Sequence, residues 1–347
     1  MLKGKKMCKK VMKFISILCM SAMVLVGCAG NAERTSATEA TSATEATSAS
    51  NETKATQTEK TDEVTIRVAS LKGPTSIGLV KMMKDNDGSY NFNIYTAADE
   101  IVPLVVKGEV DIASIPANLA AVLYQKTGGQ IEVLDINTLG VIYVVSFDEN
   151  IDSIDDLKGK KIYMTGKGTT PEYAFNYVLS QNGMSASDVT IEFKSEATEV
   201  VSALKNDNAG IAVIPQPFVT VATTQLEGLT VNISLADEWK DMLTGVTIVN
   251  KEFAKEHPQA VTKFLEAQRA SVDYVNANVD EMAQVVEEYD IVKAAIAKKA
   301  IPNCNLVCIE GKEMKEMLKN YLNVLYEQDA ASVGGQLPGD DFYYNAQ

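Results

Sequence analysis

Apolar residues follow two alternating patterns from Glu63 onward. Short runs rich in Val, Ile, Tyr and Phe are separated by stretches in which the apolar positions recur every three or four residues. The first pattern predicts strands, and the second predicts amphipathic helices. Strands are expected at Val64–Ala69, Phe92–Tyr95, Asp111–Ser114, Ile131–Asp135, Val141–Ser146, Lys161–Met164, Val189–Phe193, Gly210–Ile214 and Leu229–Ile233. Helices are expected near 76–86, 99–107, 116–127, 170–182, 197–206 and 217–225. This alternation predicts an α/β fold with mostly parallel sheets and helices on both faces.

The second half of this region repeats the first. Residues 100–116 align with residues 199–215 at a constant offset of 99, and six of the 17 pairs are identical. Upstream, Gly73-Pro74-Thr75-Ser76 has a counterpart in Gly168-Thr169-Thr170-Pro171. Two similar α/β lobes in one chain imply a cleft between them.

The chain becomes helical after Val246–Asn250. A helix is expected to begin at Glu256-His257-Pro258, because proline suits the first turn of a helix. Val261, Phe264, Leu265, Gln268, Val272 and Val275 then follow a helical period, as do Met314, Met317, Leu318, Tyr321, Leu322 and Leu325. These helices are expected to pack back onto the first lobe and make it discontinuous in sequence.

The N-terminus has the pattern of a bacterial lipoprotein signal. Lysines at Lys3 to Lys13 precede the apolar stretch Phe14–Val26, which is shorter than the ~20 residues that span a bilayer. The stretch ends in Leu25-Val26-Gly27-Cys28, which is typical of a lipobox. We therefore expect a signal peptide over 1–27 and lipidation of Cys28. An ordinary signal peptide with a chance cysteine is the alternative.

A low-complexity segment follows the cysteine. Residues 29–62 contain near-repeats of Ser-Ala-Thr-Glu-Ala-Thr and no Val, Ile, Leu or aromatic residue. Such a segment cannot bury enough apolar surface to fold. We expect residues 28–62 to form a lipidated, disordered tether that places the folded part outside the cytoplasmic membrane.

The charge balance excludes two classes of partner. The net charge is −14, and the basic residues of the signal make the remainder still more acidic. Nucleic-acid binding and adhesion to anionic lipid both require clustered Lys and Arg.

The single histidine, His257, precedes a helix start, and we expect a surface position rather than a catalytic role. The sequence contains neither a Walker glycine-lysine loop nor a Gly-x-Gly-x-x-Gly after a strand. We therefore expect no cofactor, no metal and no enzyme activity.

Cys304 and Cys308 are the cysteines expected to remain in the folded part besides the lipidated residue. In an extended segment their Cα atoms would be ~13 Å apart, which is beyond the reach of a disulfide. A local bend would allow a bond, so a disulfide and two packed thiols both remain possible at this point. Two cysteines without other ligands are weak evidence for zinc.

Four segments resemble the type II periplasmic-binding-protein superfamily, in particular the nitrate/sulfonate/taurine-type branch of ABC-importer solute-binding proteins. The segments are Asp111-Ile112-Ala113-Ser114-Ile115-Pro116-Ala117-Asn118, Ser153-Ile154-Asp155-Asp156-Leu157-Lys158-Gly159-Lys160-Lys161-Ile162, Gly168-Thr169-Thr170 and Phe253-Ala254-Lys255-Glu256-His257-Pro258. The resemblance extends over roughly residues 64–345. It implies two lobes that are joined by two crossing strands and close over one solute. We place lobe 1 at 63–146 plus 247–347 and lobe 2 at 147–246.

The resemblance also implies a function. We expect a monomeric lipoprotein on the extracytoplasmic face of the cell membrane that delivers a small polar or anionic solute to the permease of an ABC importer. Sulfonates, nitrate-like anions and thiamine precursors are the expected solute class. An enzyme on the same fold and a tethered sensor or adhesion module are the alternatives.

Four turns are candidates for the solute site. In open α/β sheets, ligands bind beyond the carboxyl ends of strands, where helix N-termini favour anions. In both halves of the repeat, the turns that follow the strands contain glycine residues together with side chains that carry hydroxyl or amide groups. The candidate ligand-binding residues are Lys72, Gly73, Pro74, Thr75, Pro116, Asn118, Lys167, Gly168, Thr169, Thr170 and Gln216. Tyr95, Tyr143, Tyr163 and Trp239 are expected mainly to pack in the interior.

Overall fold

The computed structural model describes residues 64–147, 150–207 and 210–345. The predicted signal peptide, the predicted lipidation site Cys28 and the predicted tether lie outside these ranges.

The strands form two sheets. They are β1 (Ile66–Leu71), β2 (Tyr90–Tyr95), β3 (Ile112–Pro116), β4 (Ile131–Leu139), β5 (Ile142–Ser146), β6 (Lys161–Met164), β7 (Thr190–Phe193), β8 (Ile211–Pro215), β9 (Thr230–Ser234), β10 (Leu243–Asn250) and β11 (Leu306–Glu310). The first sheet has the order β11-β4-β10-β3-β1-β2, and the second has the order β7-β6-β8-β5-β9.

Helices cover both sheets. They are α1 (Pro74–Ile77), α2 (Val80–Lys84), α3 (Ala98–Val106), α4 (Ala117–Lys126), α5 (Thr170–Gln181), α6 (Ala197–Asn206), α7 (Phe218–Gln225), α8 (Leu235–Glu238), α9 (Lys251–Glu256), α10 (Pro258–Ala277), α11 (Val279–Glu288), α12 (Ala294–Ala300) and α13 (Gly311–Gln328). The alternation of strands and helices up to α7 follows the sequence prediction, and the predicted α/β fold is confirmed.

The internal repeat is visible in the sheets. Strands β2-β1-β3 of the first sheet and β7-β6-β8 of the second have the same order and are parallel in each sheet. Helix α3 begins at Ala98 and α6 at Ala197, and β3 begins at Ile112 and β8 at Ile211, so the offset of 99 holds for both elements.

The sheets were expected to be mostly parallel, and this holds only for the strands β2-β1-β3 and β7-β6-β8 of the repeat. Strands β4, β10 and β11 pair antiparallel in the first sheet, and β5 pairs antiparallel with β8 and β9 in the second. The sheets are therefore mixed, because β10 and β11 in the first sheet and β5 in the second run against the βα units.

The chain passes between the sheets twice. It leaves the first sheet after β4 and enters the second with β5, and it returns after β9 with β10. Hence β5 belongs to the second lobe and β10 to the first, so the changes of sheet occur a few residues before the predicted bounds at 146 and 246. A Cβ at Gly140 would lie 2.7 Å from Ala236 Cβ and 2.8 Å from Met242 Cε, so glycine lets the two crossings touch. Below, lobe 1 means residues 64–139 and 243–345, and lobe 2 means residues 142–234.

The C-terminal helices complete lobe 1. Pro258 occupies the start of α10, and its predicted inward positions are buried: Val261, Phe264, Leu265, Gln268, Val272 and Val275. They pack with β1 and α2 in one core. Helix α13 buries Met314, Leu318, Tyr321, Leu322 and Leu325 in a second core that includes β4. Both helices therefore pack against strands of the first sheet.

Cys304 and Cys308 do not form a disulfide. Cys304 is buried at the end of a 3₁₀ turn, whereas Cys308 lies in the strand β11, where its thiol donates to Glu310 Oε1 over 3.3 Å. Of the two alternatives for these cysteines, the structure therefore has two packed thiols and not a disulfide.

None of the helices in the described ranges combines the length and apolar composition that crossing a bilayer requires. The described His, Cys, Asp and Glu side chains form no group that could hold a metal ion.

Candidate functional site

A cavity of about 530 Å³ lies between the lobes. Its walls are built from turns that follow the carboxyl ends of strands in both sheets. From lobe 1 they include Leu71–Thr75 after β1, Thr96–Asp99 after β2, and Pro116 at the end of β3. From lobe 2 they include Thr165–Pro171 after β6 and Lys194–Thr198 after β7. This is the location that the sequence analysis predicts for a solute site.

Most of the predicted site residues meet at this cavity. Nine of the eleven line it: Lys72, Gly73, Pro74, Thr75, Pro116, Lys167, Gly168, Thr169 and Thr170. The turns from the two halves of the repeat therefore face one another across the cleft. Their contact with a solute stays a prediction.

Asn118 and Gln216 do not line the cavity. Asn118 is fully buried, and its Nδ2 donates to Ser332 O over 2.9 Å while its Oδ1 accepts from Thr170 Oγ1 over 3.2 Å. Gln216 is 5% exposed, and its Oε1 accepts from Thr220 Oγ1 over 2.9 Å. The Asn118 amide and the Gln216 amide oxygen are engaged inside the protein, and neither residue is among those that the structure brings to the cavity.

The predicted threonine hydroxyls already donate to protein acceptors. Thr75 donates to Leu71 O over 3.0 Å, Thr169 to Gly166 O over 2.8 Å, and Thr170 to Asn118 Oδ1 over 3.2 Å. A hydroxyl has one proton to donate, so these three cannot also donate to an anion without breaking an internal bond.

Thr170 belongs to a buried network that joins the lobes. Its hydroxyl also accepts from Tyr321 OH of α13 over 3.3 Å, and Asn118 Nδ2 lies 3.4 Å from Gly168 O. Burial raises the pKa of the Tyr321 phenol, which therefore stays protonated as a donor. Next to this network, the Tyr321 ring stacks on Trp239, with centroids 5.0 Å apart. Trp239 packs between the lobes and does not line the cavity, as expected.

The beginnings of α3 and α6 form a matched pair of walls that the sequence analysis missed. Thr96–Asp99 corresponds to Ser195–Thr198 at the same offset of 99. The aligned repeat begins only at Glu100 and Glu199. The sequence signal for this pair is weak: four residues upstream of the aligned repeat, Thr96 and Ser195 both carry a hydroxyl at the same offset of 99.

The two glutamates that begin the repeat cap these helices. Glu100 Oε1 accepts from the backbone N–H of Ala97 over 2.9 Å and of Thr96 over 3.0 Å. The bond from Ala97, with those from Thr96, lowers the pKa of the Glu100 carboxyl, which therefore stays ionised. Glu199 Oε2 accepts from the Ser195 N–H over 3.0 Å. These N–H groups are thus already used by the protein.

Lysines outnumber acids around the cavity. Lys72, Lys126, Lys167 and Lys194 line it, against Asp99 and Glu196. Lys72 lies 3.5 Å from Asp290 and Lys194 lies 2.6 Å from Glu192. Lys126 and Lys167 have no ion-pair partner among the described residues. In a chain with a net charge of −14, Lys126 and Lys167 are thus the two positive charges of this wall that suit an anion.

Apolar side chains form the rest of the wall. They are Leu71, Val102, Leu119, Val122 and Phe218. Tyr95, Tyr143, Tyr163 and His257 are absent from the lining, and neither histidine nor cysteine is present among the lining residues. A cavity with apolar surface and a few charged groups is typical of small-molecule binding.

The family profile described as NMT1/THI5 like matches residues 91–282, which include the cavity turns that follow β2, β3, β6 and β7. The chain belongs to this family. A protein of Bacillus subtilis named as an aliphatic sulfonates-binding protein is 27% identical to it over 161 residues, which are 46% of this chain and 47% of the relative. The chain spans about half the length of the curated relatives it matches.

Solved structures share the two-lobed fold of this NMT1/THI5-like chain. An ABC transporter structure from Parabacteroides distasonis has a TM-score of 0.69 at 23% identity, covering 82% of this chain and 100% of that one. The periplasmic aliphatic sulphonate binding protein SsuA from Escherichia coli has a TM-score of 0.68 at 14% identity, covering 81% of this chain and 92% of that one. The predicted type II periplasmic-binding-protein fold is thereby confirmed.

Proposed function

We propose that the chain is an extracytoplasmic solute-binding protein that captures a small organic anion, of the sulfonate class, and delivers it to the permease of an ABC importer. The observation that carries this proposal is the cavity between the lobes, bordered by four lysines and two acids. Family membership and the sulfonate-binding relative support the same class of function.

The size of the cavity favours an organic anion over a bare inorganic one. Its volume of about 530 Å³ lies within the ~300–1,000 Å³ usual for small-molecule sites. A water-sized molecule occupies about 30 Å³ of liquid, so a nitrate ion alone would leave most of the space unfilled. An anionic head near Lys126 and Lys167 with an alkyl body against Leu119 and Phe218 would use both kinds of wall.

The two-lobed construction supports capture by closure. A solute that contacts turns from both lobes binds the closed form better than the open form, and it shifts the population by that difference in affinity. The cavity wall has neither histidine nor cysteine, and nothing in it resembles a nucleophile with a base. We therefore propose a binding protein that performs no catalysis. We propose separately that it acts as a monomer, because the described cleft is built from the two lobes of one chain.

Isothermal titration calorimetry tests the solute class. We expect butane-1-sulfonate to bind in the micromolar range or tighter, which corresponds to about −8 kcal/mol or better. Nitrate should bind more weakly because it leaves the apolar wall uncovered, and the neutral analogue butan-1-ol should not bind measurably. Equal binding of butan-1-ol, or no binding of butane-1-sulfonate, would contradict the proposal.

We further propose that Cys28 carries the lipid anchor. The support is the sequence Leu25-Val26-Gly27-Cys28 and the low-complexity segment behind it. Two acyl chains, such as palmitate, give stable membrane attachment where one does not. The mature protein would then work on the outer face of the cell membrane.

Cys28→Ser should release the protein from the membrane fraction into the soluble extracytoplasmic fraction. The serine hydroxyl cannot form the thioether that holds the lipid. Fractionation followed by immunoblotting of the full-length chain measures the distribution, and Cys8→Ser within the signal serves as the control that should leave it unchanged. A Cys28→Ser variant that stays in the membrane fraction at the wild-type level would disprove the lipoprotein hypothesis.

A further inference from the structure

Thr244 differs from the other threonines of the cavity wall. It lies on β10, just after the chain returns to lobe 1, and it lines the cavity. Its Oγ1 is buried and has no hydrogen-bond partner among the described residues. Buried hydroxyls in native proteins nearly always have a partner, so an unpartnered one beside a binding cavity indicates a group that gains a partner when it turns toward a solute.

The strand is irregular at this residue. Leu243 is opposite Leu139 of β4, but Gly245 is opposite Thr138, so Thr244 is an extra residue between two consecutive partners. A bulge of this kind turns a side chain away from the regular alternation and is frequent beside functional sites. Here it places Thr244 next to Pro116, which is opposite Gly245 on the other side and also lines the cavity.

Gly245, the residue after Thr244, lets Thr75 of the cavity wall lie close to the strand β10. A Cβ at this position would lie 2.8 Å from Thr75 Cγ2 and 2.5 Å from Asn137 Oδ1. Only glycine therefore lets the turn after β1 approach β10 so closely. Thr244 thus lies where the turns of lobe 1 meet the strand by which the chain returns from lobe 2.

The Thr244 hydroxyl can turn toward a solute without losing a bond. A rotation about Cα–Cβ exchanges Oγ1 with the methyl group, and in Thr75, Thr169 or Thr170 the same rotation would break an internal hydrogen bond. Because Oγ1 of Thr244 has no partner to lose, the rotation has no such cost.

We propose that Thr244 is a specificity-determining residue of the cavity wall whose hydroxyl donates a hydrogen bond to the anionic head of the solute. This inference rests on the proposed function. It adds the side chain that favours a solute with a hydrogen-bond acceptor over a solute with an apolar group at the same place. The bonded partner is an oxygen of the sulfonate, which replaces the missing partner of Oγ1.

The test compares Thr244→Val and Thr244→Ser in the full-length chain by calorimetric titration with butane-1-sulfonate. Valine keeps the shape and removes the donor, so the dissociation constant should rise by about 10- to 100-fold, the usual effect of losing a hydrogen bond to a charged group. Serine keeps the donor and should bind within a few-fold of wild type. Thr262→Val on the exposed face of α10 is the matched control, and circular dichroism melting confirms that each variant is folded.

The outcomes separate the two levels of the proposal. If wild type binds butane-1-sulfonate and Thr244→Val binds equally well, the role of Thr244 is disproved while the proposed function stands. If Thr244→Ser is as weak as Thr244→Val, the hydroxyl is not responsible and the inference is again overturned. If wild type does not bind butane-1-sulfonate, the proposed function fails and this inference fails with it.

Discussion

Replacing both Lys126 and Lys167 with glutamate is expected to weaken the binding of butane-1-sulfonate by about 100-fold. The change converts two attractive interactions with the anion into two repulsive ones. Opposite unit charges 4 Å apart gain ~1 kcal/mol in water and more where the dielectric constant is lower. Both lysines are exposed, so the value for water applies, and four units of charge amount to about 4 kcal/mol without salt. Screening by salt reduces this to roughly 3 kcal/mol, which corresponds to about 100-fold in affinity. Titration calorimetry at low and high salt measures the effect, which should shrink as salt screens it.

A matched control is available on the surface of lobe 1. Lys263 on α10 and Lys319 on α13 are exposed and do not line the cavity, so Lys263→Glu with Lys319→Glu changes the net charge by the same amount. The control should bind as wild type does at moderate salt. Equal weakening in both double variants would mean that overall charge, and not the cavity wall, attracts the anion.

Replacing Asn118 with alanine is expected to lower the free energy of unfolding by about 2–4 kcal/mol. The side chain is fully buried and bonds to Ser332 O, Gly168 O and Thr170 Oγ1. Alanine leaves these partners buried without a replacement, and each such loss costs ~1 kcal/mol or more. Urea unfolding measures the change. The emission of Trp239, the single tryptophan, reports it because its ring stacks on Tyr321 beside this network.

Asn182→Ala is the matched control for this variant. Asn182 is exposed after α5, and its Nδ2 makes one local bond to Val178 O over 2.9 Å, so its loss should cost less than about 1 kcal/mol. A double-mutant cycle of Asn118→Ala with Thr170→Val should be non-additive, since the two side chains share a bond. Additive effects, or an Asn118→Ala variant as stable as Asn182→Ala, would show that the network does not hold the lobes.

The order and kind of the elements were predictable because they depend on local pattern. Alternating and helical periods locate the buried face of each segment, and the strand β2 and the helix α10 follow these periods. The repeat at an offset of 99 predicted two similar halves, which the matching orders β2-β1-β3 and β7-β6-β8 confirm. The turns after β1 and β6 could be placed at the cleft because carboxyl ends of parallel strands meet at one edge.

Buried polar contacts were not predictable in the same way. Asn118 had the pattern of a ligand-binding amide after a strand, but the structure pairs it with Ser332, which is 214 positions away in the chain. The direction of β5 and β10 was also missed, because hydrophobic pattern does not distinguish a parallel from an antiparallel neighbour. Both depend on where distant segments lie in space.

The sequence by itself determined the two α/β halves, the turns that face the cleft and the excess of lysine at two of those turns. The tertiary structure decided which side chains of those turns remain available to a solute. Thr75 and Thr170 have their donors occupied by protein atoms, whereas Thr244, which no motif indicated, has a buried hydroxyl without a partner. The physical reason is that a hydroxyl has one proton, and only the packed neighbours determine whether it is already used.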